Sequence, residues 1–214
     1  MKQLSRHTKL AATGLAFTAG FVDALGFIHL GGYFVSFMTG NSTRMAVSIA
    51  DRVGDAALPA LIIALFVIGV MAGSIAGAQM KRNRTRNLLF GIAALLALSA
   101  LLAQLGLQTP AILLTPMAMG AMNTIFQRDG EVSVGVTYMT GALVKFAQRA
   151  AQALTGGDKW AWAPYLLLWS GLVTGAVCGA ALYSQFGLMV LWLPAAALSI
   201  FAVVGRWDME ENRV

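Results

Sequence analysis

Charge is what this chain has least of. Asp, Glu, Lys and Arg together make up 11% of its 214 residues, where a soluble globular domain carries roughly 25%. Hydrophobic residues fill 58%, and the mean hydropathy is +0.72. A water-soluble fold of this length could not bury so much apolar surface. Soluble enzymes and disordered chains are thereby excluded. A single cysteine, Cys178, excludes an internal disulfide framework. It stands among Ala176, Val177 and Gly179, where an inert buried thiol is expected. The two histidines, His7 and His29, have no ligating company, so no metal site is expected. P-loop, G-x-S-x-G and H-E-x-x-H motifs are all missing from the sequence, so neither catalytic residues nor a cofactor are expected.

What is present is a series of long apolar runs. A helix needs about 20 apolar residues to cross the hydrocarbon. Six runs reach or approach that length: Leu10–Leu30, Leu58–Gln79, Leu88–Leu107, Pro110–Phe126, Trp162–Tyr183 and Phe186–Gly205. Pro59, Pro110 and Pro164 stand near the starts of runs, where a missing N–H costs nothing. Pro116 and Pro194 fall inside runs, and kinks are expected there. Trp160, Trp162, Trp207, Tyr33 and Tyr183 stand near the ends, as interfacial belt residues do. The net charge is +6. Its basic residues lie between the runs, which suits orientation in a bilayer and not nucleic-acid binding.

Two further segments, Gly31–Ala50 and Ser133–Leu154, are apolar but interrupted by Thr39-Gly40 and Thr140-Gly141. They align with each other: Val35, Met38, Thr39, Gly40 and Ala46 match Val136, Met139, Thr140, Gly141 and Ala147. Gly20 and Asp23 similarly match Gly120 and Asn123. The spaced glycines Gly69, Gly73 and Gly77 match Gly171, Gly175 and Gly179. A single membrane domain, 1–214, built from internal repeats 1–107 and 108–214, is expected.

Charge decides how the repeats are oriented. If the Thr-Gly segments dip into the membrane and return, six spans put 13 basic residues on the N-terminal side and leave Arg44 and Arg52 opposite. If both segments cross, eight spans divide the same residues 10 to 5. The first solution separates charge better. It makes the chain an all-α polytopic bundle of about six transmembrane helices, with two re-entrant or broken Thr-Gly segments and two inverted repeats. Both termini are then cytoplasmic. An ordinary span remains an alternative for either Thr-Gly segment. So does a surface helix, for which Lys145 and Arg149 are well spaced.

The polar residues at membrane depth are the candidate site. Asp23 lies about 20 Å into its run at 1.5 Å per residue, and a carboxylate there needs a partner, a proton or water. Arg44 is the expected partner. Asp23 either binds a proton, cation or solute, or caps the broken segment. Thr39, Asn41 and Ser42 are good helix N-caps. Two half-helices starting there would aim their positive ends at the membrane centre. Thr39, Gly40, Asn41, Thr140 and Gly141 would then form a midplane site, with Arg44 and Asn123 beside it. The glycine triplets are read as packing faces.

At these residues the sequence resembles the YoaK-like family of bacterial inner-membrane proteins, a domain of unknown function. The resemblance rests on Gly20-Phe21-Val22-Asp23-Ala24, Phe34-Val35-Ser36-Phe37-Met38-Thr39-Gly40-Asn41 and Thr137-Tyr138-Met139-Thr140-Gly141. It implies a bacterial cytoplasmic membrane and about six spans, and no substrate. The expected function is a secondary transporter or channel for a small polar or anionic solute. The alternative is a non-transporting membrane scaffold or regulatory subunit. The expected partners are the lipid bilayer, the solute and, for so thin a bundle, a second copy in a homodimer.

Overall fold

The computed structural model describes residues 6–51, 56–80, 83–128, 131–132 and 135–205. Lys2, Arg52, Lys81, Arg82, Arg206, Trp207 and Arg213 lie outside them. The fold is a polytopic helical membrane bundle. Its helices are α1 (Arg6–His29), α2 (Met38–Asp51), α3 (Ala57–Gln79), α4 (Arg84–Gln104), α5 (Gln108–Met122), α6 (Met139–Leu154), α7 (Ala163–Phe186) and α8 (Trp192–Val204). One small antiparallel pair, β1 (Gln127–Arg128) with β2 (Glu131–Val132), precedes α6.

Among the described residues, four stretches are long and apolar enough to cross a membrane: His7–His29, Ala57–Gln79, Arg84–Gln104 and the 42-residue stretch Ala163–Val204. The last is two helices. Gly187, at φ +60°, breaks it, and residues Gly187–Leu191 form a 3₁₀ turn before α8. That break changes the role expected of Pro194. It stands in the first turn of α8 and kinks nothing, because the helix does not begin until Trp192. Pro116 does lie inside a helix, α5.

The bundle is held by two reciprocal helix pairs. α1 packs mainly on α7, and α3 on α5. Both pairs approach backbone to backbone at glycines. A Cβ on Gly175 would stand 2.0 Å from the Phe17 carbonyl oxygen, and one on Gly69 would stand 2.1 Å from that of Met117. Gly171 meets Thr13 and Gly179 meets Phe21, in rising order, so α1 and α7 run in the same direction. Gly73 against Ala121 follows Gly69 against Met117, so α3 and α5 do too. Small residues supply such close approach in a bilayer, where lipid tails are as apolar as leucine. Gly77 differs: it makes room for the Arg84 side chain.

The triplets do not correspond at the spacing that the sequence suggests. Met117 lies 100 residues after Phe17, but their partners Gly69 and Gly175 are 106 apart. By their contacts Gly69 pairs with Gly175, one helical turn from the Gly171 with which it aligns. The turn before α7, residues 155–162, is longer than the stretch between α2 and α3, and this absorbs the shift.

α4 fills the middle. Leu88, Leu89, Ile92, Ala93, Leu96, Ser99, Ala100 and Ala103 bury one continuous face, the stripe expected of a helix at 3.6 residues per turn. It packs on α5, α8 and the 3₁₀ turn. The Ser99 hydroxyl donates to the Ala111 carbonyl across the α4–α5 contact. Outside the core, Leu61, Val67, Ile68, Met71 and Ile75 leave a broad apolar face of α3 exposed, as lipid contact requires. Cys178 is also exposed, not buried. Gly171, Gly175 and Gly179 take the face of α7 that meets α1, and residue 178 turns away from it.

Candidate functional site

The polar centre of the molecule is the return from α1 into α2. Chain direction reverses over residues 30–37, with Gly31 and Gly32 at positive φ. Reversal exposes backbone N–H groups that hydrocarbon cannot satisfy. Asp23 satisfies two of them: its Oδ1 accepts from Val35 N at 2.7 Å and from Ser36 N at 2.8 Å. Asn41 closes the turn from the other side. It is fully buried. Its Oδ1 accepts from Phe34 N at 3.0 Å, and its Nδ2 donates to the Phe34 carbonyl at 2.6 Å. Asp23 therefore caps the segment leading into α2.

Several expectations are corrected here. The interruption lies before the Thr-Gly pairs and not at them. Met38 starts α2 and Met139 starts α6, so Thr39-Gly40 and Thr140-Gly141 occupy first helical turns. Asn41 and Ser42 are not N-caps: Asn41 serves Phe34, and the Ser42 hydroxyl donates back to the Met38 carbonyl at 2.9 Å. Thr39 is exposed. Arg44 does not pair with Asp23; its guanidinium lies 5.4 Å from the Tyr33 ring centroid and beside Gly32.

Nor do the two short helices meet. α2 packs on α3, α6 packs on α7, and α2 and α6 share no contact among the described residues. Thr140 and Gly141 are exposed, with open space around Gly141. Among the described residues, then, α2 and α6 do not face each other across a shared site. The physical reason is amphipathicity. Each short helix buries one residue, Asn41 in α2 and Ala142 in α6, and turns the rest outward.

Asn123, at the place in the later helices that matches Asp23, holds its turn by a side-chain contact instead. Asn123 is buried, donates to the Met119 carbonyl at 3.0 Å and accepts from the Thr137 hydroxyl at 3.1 Å. The side-chain amide there has the shape of Asp23 without its charge. Ala142 stands where Asn41 stands in the first half, so no side chain there closes the turn.

Asp23 has a second environment. It is half-buried and lines a groove of about 510 Å³ between α1 and α7. Gly20 and Ala24 form one wall, Ala176 and Ala180 the other, and Phe27 and Phe34 close one side. The two phenyl rings stand 4.9 Å apart. At Gly20 the two helices close on each other: a Cβ there would stand 2.0 Å from the Leu172 carbonyl oxygen. Where the α1 and α7 C-termini come together, His29 Nδ1 and the Tyr183 hydroxyl are 2.8 Å apart. The sequence places Tyr183 near a span end and gives no sign of this bond. A second missed contact is Arg84, whose guanidinium donates to the Thr124 carbonyl at 2.8 Å and to that of Ile125 at 3.3 Å. Those carbonyls lie just beyond the C-terminus of α5, where a cation is favoured.

A family model matches residues 11–204, almost all of the bundle. The chain belongs to the family described as protein of unknown function (DUF1275). A transmembrane relative accompanies it. The UPF0700 transmembrane protein RA0705 of Rhizobium meliloti (strain 1021) is 35% identical over 200 residues, covering 91% of this chain and 86% of that protein. No solved structure matches. The protein is an integral membrane protein of an uncharacterised family, and its site rests on the geometry above.

Proposed function

We propose that the protein is a secondary carrier for a small solute, and that the Asp23 groove is where the solute binds. The observation that carries this reading is Asp23 itself. A carboxylate at membrane depth is costly, and the matching residue Asn123 meets its own turn uncharged, through the Thr137 hydroxyl. The charge also borders a groove of ligand size. This moves the site from between α2 and α6 onto α1 and α7. It also removes the anion from the solute class, because a carboxylate and not two helix N-termini lines the groove.

The same reading takes the halves as inverted repeats in a bacterial cytoplasmic membrane with both termini inside. Support comes from corresponding contacts: Gly20 meets Leu172 and Gly120 meets Phe66, positions offset by 100 and 106 residues like the glycine pairs above. The YoaK-like resemblance at Gly20–Ala24 and Phe34–Asn41 falls on the same groove and turn. Inverted repeats are a common plan for carriers.

A second reading, a scaffold or regulatory subunit, is favoured by α2 and α6, which leave most of their surface open to another chain. Efflux from proteoliposomes separates the two. A carrier releases at least one class of preloaded cationic or neutral solute faster than vesicles holding Asp23→Asn. Equal release across both classes would sink the carrier reading and favour the scaffold.

A further inference from the structure

We infer that the groove takes an amphipathic organic cation, its charged head against Asp23 and its apolar body between Phe27, Phe34 and α7. This identifies the solute class of the proposed carrier and so rests on that reading. Among the residues that line the groove, Asp23 is the one charged group, and the rest are apolar or glycine. Its described partners are the backbone N–H groups of Val35, Ser36 and Phe37 and the Ser36 hydroxyl, with no basic side chain among them. Those neutral donors satisfy the carboxylate oxygens without cancelling the charge. The nearest guanidinium on α2, Arg44, is taken up by Tyr33. Among the described residues no basic side chain balances the Asp23 carboxylate in the groove, in surroundings where such imbalance is expensive.

The rest of the lining selects the kind of cation. A hydrated inorganic ion needs several oxygens, and these walls offer only the carboxylate. Aromatic faces, by contrast, attract organic cations. Phe34 stands 4.9 Å from Phe27 and 5.2 Å, edge-on, from Phe37, so aromatic surface continues from the groove into the turn that Asp23 caps. The opening is flanked by the exposed side chains of Phe27, Ile28, Val173 and Val177, which faces it toward lipid. A molecule that partitions into the bilayer can enter sideways, apolar part first.

Tetraphenylphosphonium and tetraphenylborate share size and shape and differ in the sign of charge. Binding of each, labelled, is measured on the full chain in zwitterionic nanodiscs, with protein-free discs subtracted. Tetraphenylphosphonium is expected to bind saturably. Asp23→Asn should weaken it by about tenfold or more, the scale of one charge-assisted contact. Ala176→Leu, which fills the groove and leaves Asp23 in place, should weaken it as well, so the outcome does not hang on how one variant folds. Tetraphenylborate should not bind saturably. Equal binding of both ions, or equal tetraphenylphosphonium binding to wild type and both variants, would overturn the inference. Neutral-solute efflux that depends on Asp23 without tetraphenylphosphonium binding would overturn it and leave the carrier standing. Binding with no efflux of any class would uphold the cation site and remove the carrier.

Discussion

Asp23 and Val35, twelve residues apart, are joined by a 2.7 Å bond from the Val35 N–H to the Asp23 carboxylate. Through it α1 holds the start of the segment that becomes α2. The same oxygen holds Ser36, so one side chain fixes the return of the chain from α1 toward α2. Its two roles, cap and charge, separate by substitution. Asp23→Ala removes the acceptor and leaves two N–H groups unpaired, which costs about 1–3 kcal/mol for each buried group. Asp23→Asn keeps an acceptor oxygen and loses the charge. Thermal unfolding in detergent should place Asp23→Asn close to wild type and Asp23→Ala well below both.

Asn41 should matter more to stability than its polar neighbours. It is fully buried and satisfies both the N–H and the carbonyl of Phe34. Asn41→Ala is expected to cost about 2–4 kcal/mol, with two buried groups orphaned at about 1–2 each. Thr39→Ala, on the exposed side of the same turn, should change the melting temperature little. Comparable losses at the two positions would contradict the turn described here.

The paired helix contacts make a signed prediction. Gly20→Ala and Gly120→Ala press a methyl into the carbonyls of Leu172 and Phe66, at 2.0 and 2.1 Å. Overpacking of this kind costs about 1–3 kcal/mol. Gly14 and Gly91 have open space around them, and alanine there should be neutral or stabilise by up to about 1 kcal/mol through helix propensity. A set of four melting curves checks both signs at once.

Topology follows from charge and is open to chemical labelling. In a Cys178→Ala background, single cysteines replacing Arg52, Arg86 and Asp158 are treated with an impermeant thiol reagent on intact cells. Inverted repeats predict labelling at position 52 alone. Labelling at 86 in place of 52 would mean that the Thr-Gly segments cross and that the repeats run parallel.

The apolar runs gave the long helices away because hydrocarbon thickness sets one length for all of them. Gly20 and Asp23 were legible as a pair for a related reason, since polar and small residues at depth are rare and must serve something. Other features were not legible. Nothing in the sequence of α2 or α6 states which helix it will lie on, and so their separation could not be read. Arg44 is separated from both Asp23 and Tyr33 by loop and helix, and spacing alone could not choose between them. An apolar run around Cys178 shows depth but not face. A period of four matches itself when shifted by four, so spacing alone could not choose the register of the glycine triplets.

The most direct test of the account is whether Asp23 makes the groove attractive to cations. A thiol at Ala24, in the Cys178→Ala background, lies on the groove wall beside Asp23. In proteoliposomes its reaction rate is compared between an ethylammonium and an ethylsulfonate methanethiosulfonate. The account predicts that the cation reacts faster and that Asp23→Asn abolishes the preference. A thiol that neither reagent reaches, or that both modify equally with Asp23 in place, would contradict it.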